Sequence, residues 1–155
     1  MKAITIIQPW ATLAAIGEKG FETRNWSTKH RGELAIHAGK KIDKEACEVP
    51  QIKAALARHG YTADNLPTGG VLAITNLKQV YRITDVSEIN CTAYVLNDNG
   101  RVDAVIDETE YSFGWYEEGR YAWKMTDVKQ LKEPIPSKGQ QGLWNWEGAS
   151  MIRNL

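Results

Sequence analysis

Three charged side chains with the means to do chemistry lie within six residues of the N-terminal third: Lys19, Glu22 and Arg24. The sequence predicts a strand over residues 21–26, in which Glu22 and Arg24 share one face because side chains alternate along a strand. Lys19 has the opposite parity, so we expect the chain to bend at Gly20 and bring it to the same place. The segment therefore predicts an ionic cluster.

The chemistry of this cluster depends on Glu22. A carboxylate flanked by two cations is held ionised, ready to accept a proton from water or to pair with the edge of a base. Glu22 can thus act as a general base, or it can be a structural anchor that fixes Lys19 and Arg24. Lys19 can bind a phosphate, polarise a carbonyl or activate a neighbouring group. A solvated Glu–Arg pair without function, worth about 0–1 kcal/mol, is the remaining alternative.

Aromatic residues are numerous, with six tryptophans and six tyrosines, and several lie near charged segments: Trp26, Trp115, Tyr116, Tyr121 and Trp123. Aromatic faces can stack a nucleotide base for about 1–3 kcal/mol, while neighbouring cations hold phosphates. Any single ring can instead fill the protein core, but the set together favours a ligand cleft. The candidate ligand contacts are Trp26, Lys29, Arg31, Tyr121 and Trp123.

Length and charge limit the classes of function. The chain has 155 residues, which fits one domain over residues 1–155. Lysine plus arginine and aspartate plus glutamate both number 19, so the formal net charge is zero. No overall field attracts nucleic acid, and any such contact must be local.

The cysteines bear on metal binding, and the N-terminus bears on the compartment. Cys47 and Cys91 are far apart and only three histidines accompany them, so we expect no metal site and no cofactor. The N-terminus continues directly into a strand pattern, without a signal-peptide region or an apolar run long enough for a membrane. We expect a cytoplasmic protein that makes no membrane contact.

Strand patterns outnumber helix patterns along the chain. Strands are predicted over residues 2–7, 21–26, 33–38, 71–83 (one bent strand or two), 101–106 and 121–131, and helices over 9–17 and 43–59. Pro50 should kink or split the second helix, and Pro134 and Pro136 should end the last strand. Asp98-Asn99-Gly100 is a hairpin turn signal. The pattern predicts an α+β fold, a small mixed β-barrel.

The charged segment also resembles a known signature. Gly17, Lys19, Glu22 and Arg24 match the G-x-K-x-x-E-x-R signature of the ASCH family at every fixed position. Further blocks that look like the family's, in the family's order, are Gln8-Pro9-Trp10-Ala11, Arg31-Gly32, Ile36-His37-Ala38, Arg120-Tyr121-Ala122-Trp123 and Gly142-Leu143-Trp144. The resemblance implies a barrel of the PUA type with two or three flanking helices.

The resemblance implies three functions. The first is an RNA- or nucleotide-binding module with Lys19, Glu22 and Arg24 in its cleft, since the family is linked to RNA. The second is an amidohydrolase acting on modified nucleosides of the N4-acetylcytidine type, and the third is a ribonuclease. The expected partner is RNA or a modified nucleoside or nucleotide.

This chain departs from the hydrolase relatives at one position. Those relatives use a lysine, a threonine nucleophile and a glutamate, and Glu22 stands where they have the threonine. Thr23 is predicted to point to the other face of the strand. A modified mechanism would use Glu22 to activate water, with Lys19 or Arg24 stabilising the oxyanion. The catalytic candidates are therefore Lys19, Glu22 and Arg24, and no residue is assigned to the relatives' separate glutamate.

Overall fold

The computed structural model describes residues 1–152, in which an eight-stranded sheet is the main element. The strands are β1 (Lys2–Gln8), β2 (Phe21–Arg24), β3 (Gly32–Ile42), β4 (Gly70–Ser87), β5 (Thr92–Leu96), β6 (Val102–Ile106), β7 (Tyr121–Pro136) and β8 (Leu143–Asn145). The α-helices are α1 (Trp10–Ala15), α2 (Pro50–Ala57) and α3 (Glu108–Ser112), and 3-10 turns cover Ala46–Glu48 and Glu147–Ile152. The predicted α+β class is confirmed.

The strands pair in the order β2-β7-β4-β3-β1-β8, and β5 and β6 extend from β4 as a further pair. β1 and β3 are parallel, and the other pairs are antiparallel. The short strands β2 and β8 are the two ends of this order, and within residues 1–152 no pairing joins them. The sheet is therefore open, and the predicted barrel is not confirmed.

Strand β7 is longer than its prolines suggested. It runs to Pro136 and pairs Ile135 with Val71, so the prediction that the two prolines end the strand is wrong. The register shifts between Val71 and Ala73, and four residues of β7, the last of them Pro134, lie opposite Leu72 alone. A bulge tolerates proline because no ladder N–H is needed there.

The predicted second helix is split at its proline. Val49 is extended, with ψ of 126°, and α2 begins at Pro50, because proline disfavours a helical residue before it and suits the first helical position. The turn signal at residues 98–100 connects β5 and β6, with Asn97 N–H donating to the Arg101 carbonyl at 2.9 Å. Strands β5 and β8 and helix α3 were not predicted.

Helix α1 delivers the chain to the charged segment. Its buried residues Ala11, Ala14 and Ala15 pack against the sheet. Gly17 then takes φ of +81°, which favours glycine and ends the helix. The backbone N–H of Lys19 donates to the Leu13 carbonyl at 3.0 Å, so the loop is fixed on the last turn of the helix. Within residues 1–152, no helix combines the length and the apolar character required to cross a membrane.

Candidate functional site

Glu22 is the centre of an ionic cluster. Its Oε1 lies 3.3 Å from Lys19 Nζ and accepts the Thr23 backbone N–H at 3.2 Å. Its Oε2 accepts from both Nη2 and Nε of Arg24, at 2.9 and 3.2 Å. The pairing of Glu22 with Arg24 on one face of β2 follows the predicted alternation. Three hydrogen bonds and one ion pair therefore engage both oxygens of the carboxylate.

Lys19 supports this cluster from the interior. It precedes β2, so strand alternation does not fix its direction, and its Nζ also donates to the Phe21 carbonyl. Its side chain is only 1% exposed, whereas that of Arg24 is 25% exposed. The three predicted residues therefore meet, but Arg24 is the cation that solvent reaches.

The two cations control the charge of Glu22. Burial alone would raise the pKa of Glu22, but the Lys19 ammonium and the Arg24 guanidinium outweigh this effect and lower the pKa below its ordinary value of 4.5. Glu22 is consequently ionised at neutral pH.

A cleft of about 550 Å³ opens beside this cluster. Glu22, Thr23 and Arg24 of β2 form part of its lining, although Thr23 was predicted to point away from Glu22. Trp10 of α1 and Trp115 from the segment between α3 and β7 contribute aromatic surface. The cleft thus combines ionic groups with aromatic rings.

Trp115 and Arg120 form a unit at the cleft. The guanidinium carbon of Arg120 lies 4.0 Å from the centre of the Trp115 ring, a cation–π contact. Arg120 Nε donates to the Trp115 carbonyl at 3.0 Å, and the Trp115 N–H donates to Thr23 Oγ1 at 3.0 Å. Because Trp115 remains 59% exposed, it offers surface to a ligand.

Within the described residues, none of the five predicted ligand contacts lines this cleft. Trp123 is completely buried and meets Trp26 edge-on, with ring centres 4.8 Å apart, so Trp123 has no free face for a base and is a core residue. Tyr121 packs against the same core. Lys29 and Arg31 are exposed, and Arg31 Nη2 donates to Gln79 Oε1 at 2.8 Å.

Glu110, which the sequence analysis did not single out, lies beside the ionic cluster and does not line the cleft. Its Oε1 accepts the Gly20 N–H, while its Oε2 is buried without a hydrogen-bond partner among residues 1–152. Burial raises the pKa of Glu110, and the nearby Lys19 charge offsets this only in part. The Tyr116 hydroxyl is also buried and unpartnered there. Nothing in the acidic segment around Glu110 distinguished it, because its contacts are long-range.

The described part of the chain contains no group of three or more histidine, cysteine, aspartate or glutamate side chains placed to hold a metal ion.

A search of curated proteins gave no significant match. The family model of the ASCH domain matches residues 4–152, nearly the whole chain. The chain therefore belongs to the ASCH domain family.

Proposed function

We propose that this protein is a nucleotide-binding module for RNA, and that its cleft holds a base together with an adjacent phosphate. The carrying observation is the cleft beside Glu22, in which the guanidinium of Arg120 lies 4.0 Å from the centre of the exposed Trp115 ring and which Arg24 also lines. Its volume of about 550 Å³ is within the usual range for small-molecule sites. Guanidinium groups suit phosphates because their planar donors match phosphate geometry.

The contacts of Glu22 favour an anchoring role over a general base. Three hydrogen bonds and the ion pair with Lys19 already engage both oxygens of its carboxylate. It instead fixes Arg24 at the cleft. The proposed ligand contacts are therefore Arg24, Trp115 and Arg120, and Glu22, paired with Lys19, holds Arg24 in place.

Calorimetric titration with UMP, CMP, AMP and GMP tests this proposal. We expect binding that Trp115→Ala and Arg120→Gln weaken, because both groups line the cleft. Tyr94→Ala is the matched control, since Tyr94 is an exposed aromatic residue on β5. Equal affinities for all three variants and the wild type, or no binding of any nucleotide or RNA oligomer, would contradict the proposal.

Amide hydrolysis is the second candidate, and the position of Thr23 favours it. Thr23 lines the cleft next to Glu22, so a hydroxyl is present one residue away from the position at which the hydrolase relatives place their nucleophile. Lys19, in contrast, is too buried to reach a substrate carbonyl in the cleft. Release of acetate from N4-acetylcytidine by the wild type, and its loss in Thr23→Val, would support this candidate. If the wild type releases no acetate, the binding module remains as the candidate function.

Ribonuclease activity stays a prediction, and no specific structural feature favours it.

A further inference from the structure

A second cleft, of about 830 Å³, shares Thr5 with the first. Its lining includes Lys40 of β3 and Lys138 of the loop at residues 137–142, and it contains no aspartate or glutamate. Both lysines are exposed, and neither forms an ion pair with any residue from 1 to 152. In a chain with no net charge, this is a local positive surface.

The loop that carries Lys138 is fixed by a buried histidine. His37 is only 2% exposed, and its Nε2 donates to the Ser137 carbonyl at 2.7 Å. Its Nδ1 lies 3.2 Å from Thr5 Oγ1, which also accepts the Trp144 indole N–H at 3.1 Å. Because these side chains come from β1, β3 and β8, the wall of the second cleft is tied to three strands.

Gly139 lets the loop lie directly on this pair of side chains. A Cβ at position 139 would stand 2.6 Å from Thr5 Oγ1 and 2.7 Å from the His37 ring. The close approach therefore requires glycine, and Lys138, Gly139 and Gln140 are exposed residues of the cleft lining. Two lysine ammonium groups at one cleft that no carboxylate lines suit a phosphate, which lysine binds as a point charge.

Thr5 connects the two clefts. Its carbonyl accepts from Arg24 Nη2 at 2.8 Å, on the side of the first cleft, while its hydroxyl meets His37 at the second. A strand of RNA whose base occupies the first cleft would then pass its next phosphates over Thr5 toward Lys40 and Lys138.

We infer that the second cleft binds the phosphodiester backbone that flanks the nucleotide in the first cleft. The ligand class is then single-stranded RNA of several nucleotides, in preference to a free mononucleotide. This inference rests on the proposed function, because the first cleft must hold a nucleotide for the second to hold its neighbour.

The test compares Lys40→Gln/Lys138→Gln with a control of equal charge loss, Lys44→Gln/Lys129→Gln, whose exposed lysines line neither cleft. Affinity for a fluorescein-labelled octauridylate is measured by anisotropy between 50 and 200 mM salt, and affinity for UMP by calorimetry. Each phosphate contact on a single strand contributes about 0.7 to the slope of log affinity against log salt concentration. We expect Lys40→Gln/Lys138→Gln, the cleft variant, to lower this slope by about 1.4. Between 50 and 200 mM salt it should then lose about sevenfold less affinity than the wild type loses.

The outcomes separate the inference from the proposed function. Unchanged UMP binding with weakened octauridylate binding, in the cleft variant alone, supports the second cleft. Octauridylate affinity equal to that of the control variant overturns it, and leaves the first cleft as the nucleotide site. Inorganic phosphate is the further probe: if the cleft variant loses phosphate binding but keeps full octauridylate affinity, the cleft is a free-phosphate site and the inference fails. A wild type that binds neither UMP nor octauridylate overturns both.

Discussion

Arg24 donates two hydrogen bonds to one oxygen of Glu22, at 2.9 and 3.2 Å, while its Nη2 also reaches the Thr5 carbonyl at 2.8 Å. The same guanidinium therefore ties β2, at one end of the sheet order, to β1. Since β1 and β2 share no strand pairing within the described residues, this side-chain bridge positions the cleft wall. The cluster thus has a structural task whether or not a ligand is bound.

Replacing Glu22 should cost much more stability than replacing an exposed glutamate. Glu22→Gln leaves the Lys19 ammonium buried without its counter-charge, for which we expect a loss of about 3–5 kcal/mol in the free energy of unfolding. Glu48→Gln is the control, because the Glu48–Lys53 pair is exposed and worth about 0–1 kcal/mol. Urea unfolding at neutral pH measures both, and equal losses would show that Glu22 is not an anchor.

The stability contributed by the charge of Glu22 should depend on pH. Because its pKa in the folded state is lowered, ionised Glu22 stabilises the fold above the ordinary value of 4.5, and this contribution disappears as the pH falls through the lowered pKa. The difference between the wild type and Glu22→Gln should therefore shrink in acid. Urea unfolding over a series of pH values tests this, and a difference that grows in acid would contradict the assigned ionisation.

The ionisation of Glu110 should destabilise the folded protein, whereas that of Glu22 stabilises it. Because the pKa of Glu110 is raised, the folded protein loses stability relative to the unfolded chain as the pH rises from 4.5 through the raised value. Glu110→Gln keeps an amide oxygen for the Gly20 N–H and removes the titration, so its stability relative to the wild type should increase over that range. Glu108→Gln, an exposed change in the same helix, is the control. A constant difference between Glu110→Gln and the wild type would contradict the raised pKa.

Trp115 should supply binding energy without supporting the fold. The residue is 59% exposed, so Trp115→Ala should leave the unfolding midpoint nearly unchanged. Loss of one stacked base is worth about 1–3 kcal/mol, which raises the dissociation constant for octauridylate about 5- to 150-fold. Anisotropy titration measures this, with Tyr94→Ala as the exposed aromatic control. Equal affinity of the two variants would exclude Trp115 as a stacking surface.

The local sequence pattern was sufficient to predict the ionic cluster. Strand alternation placed Glu22 and Arg24 on one face, and the structure pairs them. Pro50 predicted the division of residues 43–59, since proline acts on its immediate neighbours. The resemblance around Lys19 indicated the same family that the match over residues 4–152 shows.

The contacts that the sequence did not predict depend on long-range packing. Glu110 contacts Gly20 from 90 positions away, and Trp115 contacts Thr23 from 92 positions away, so no local spacing relates them. Trp123 matched the aromatic pattern of a ligand cleft, but its place on β7 between β2 and β4 buries it in the core. The open sheet likewise depends on which strands pair, a property that strand patterns do not carry.

The most direct test of the central claim compares two arginines. Arg24 lines the proposed cleft, whereas Arg31 is exposed and contacts Gln79. Binding of labelled octauridylate at low salt is measured for Arg24→Gln, Arg31→Gln and the wild type, with unfolding midpoints confirming that each variant is folded. We predict that Arg24→Gln weakens binding about tenfold, the value of one charge-assisted hydrogen bond, while Arg31→Gln binds like the wild type. A larger loss for Arg31→Gln than for Arg24→Gln would contradict the assignment of the cleft beside Glu22 as the nucleotide site.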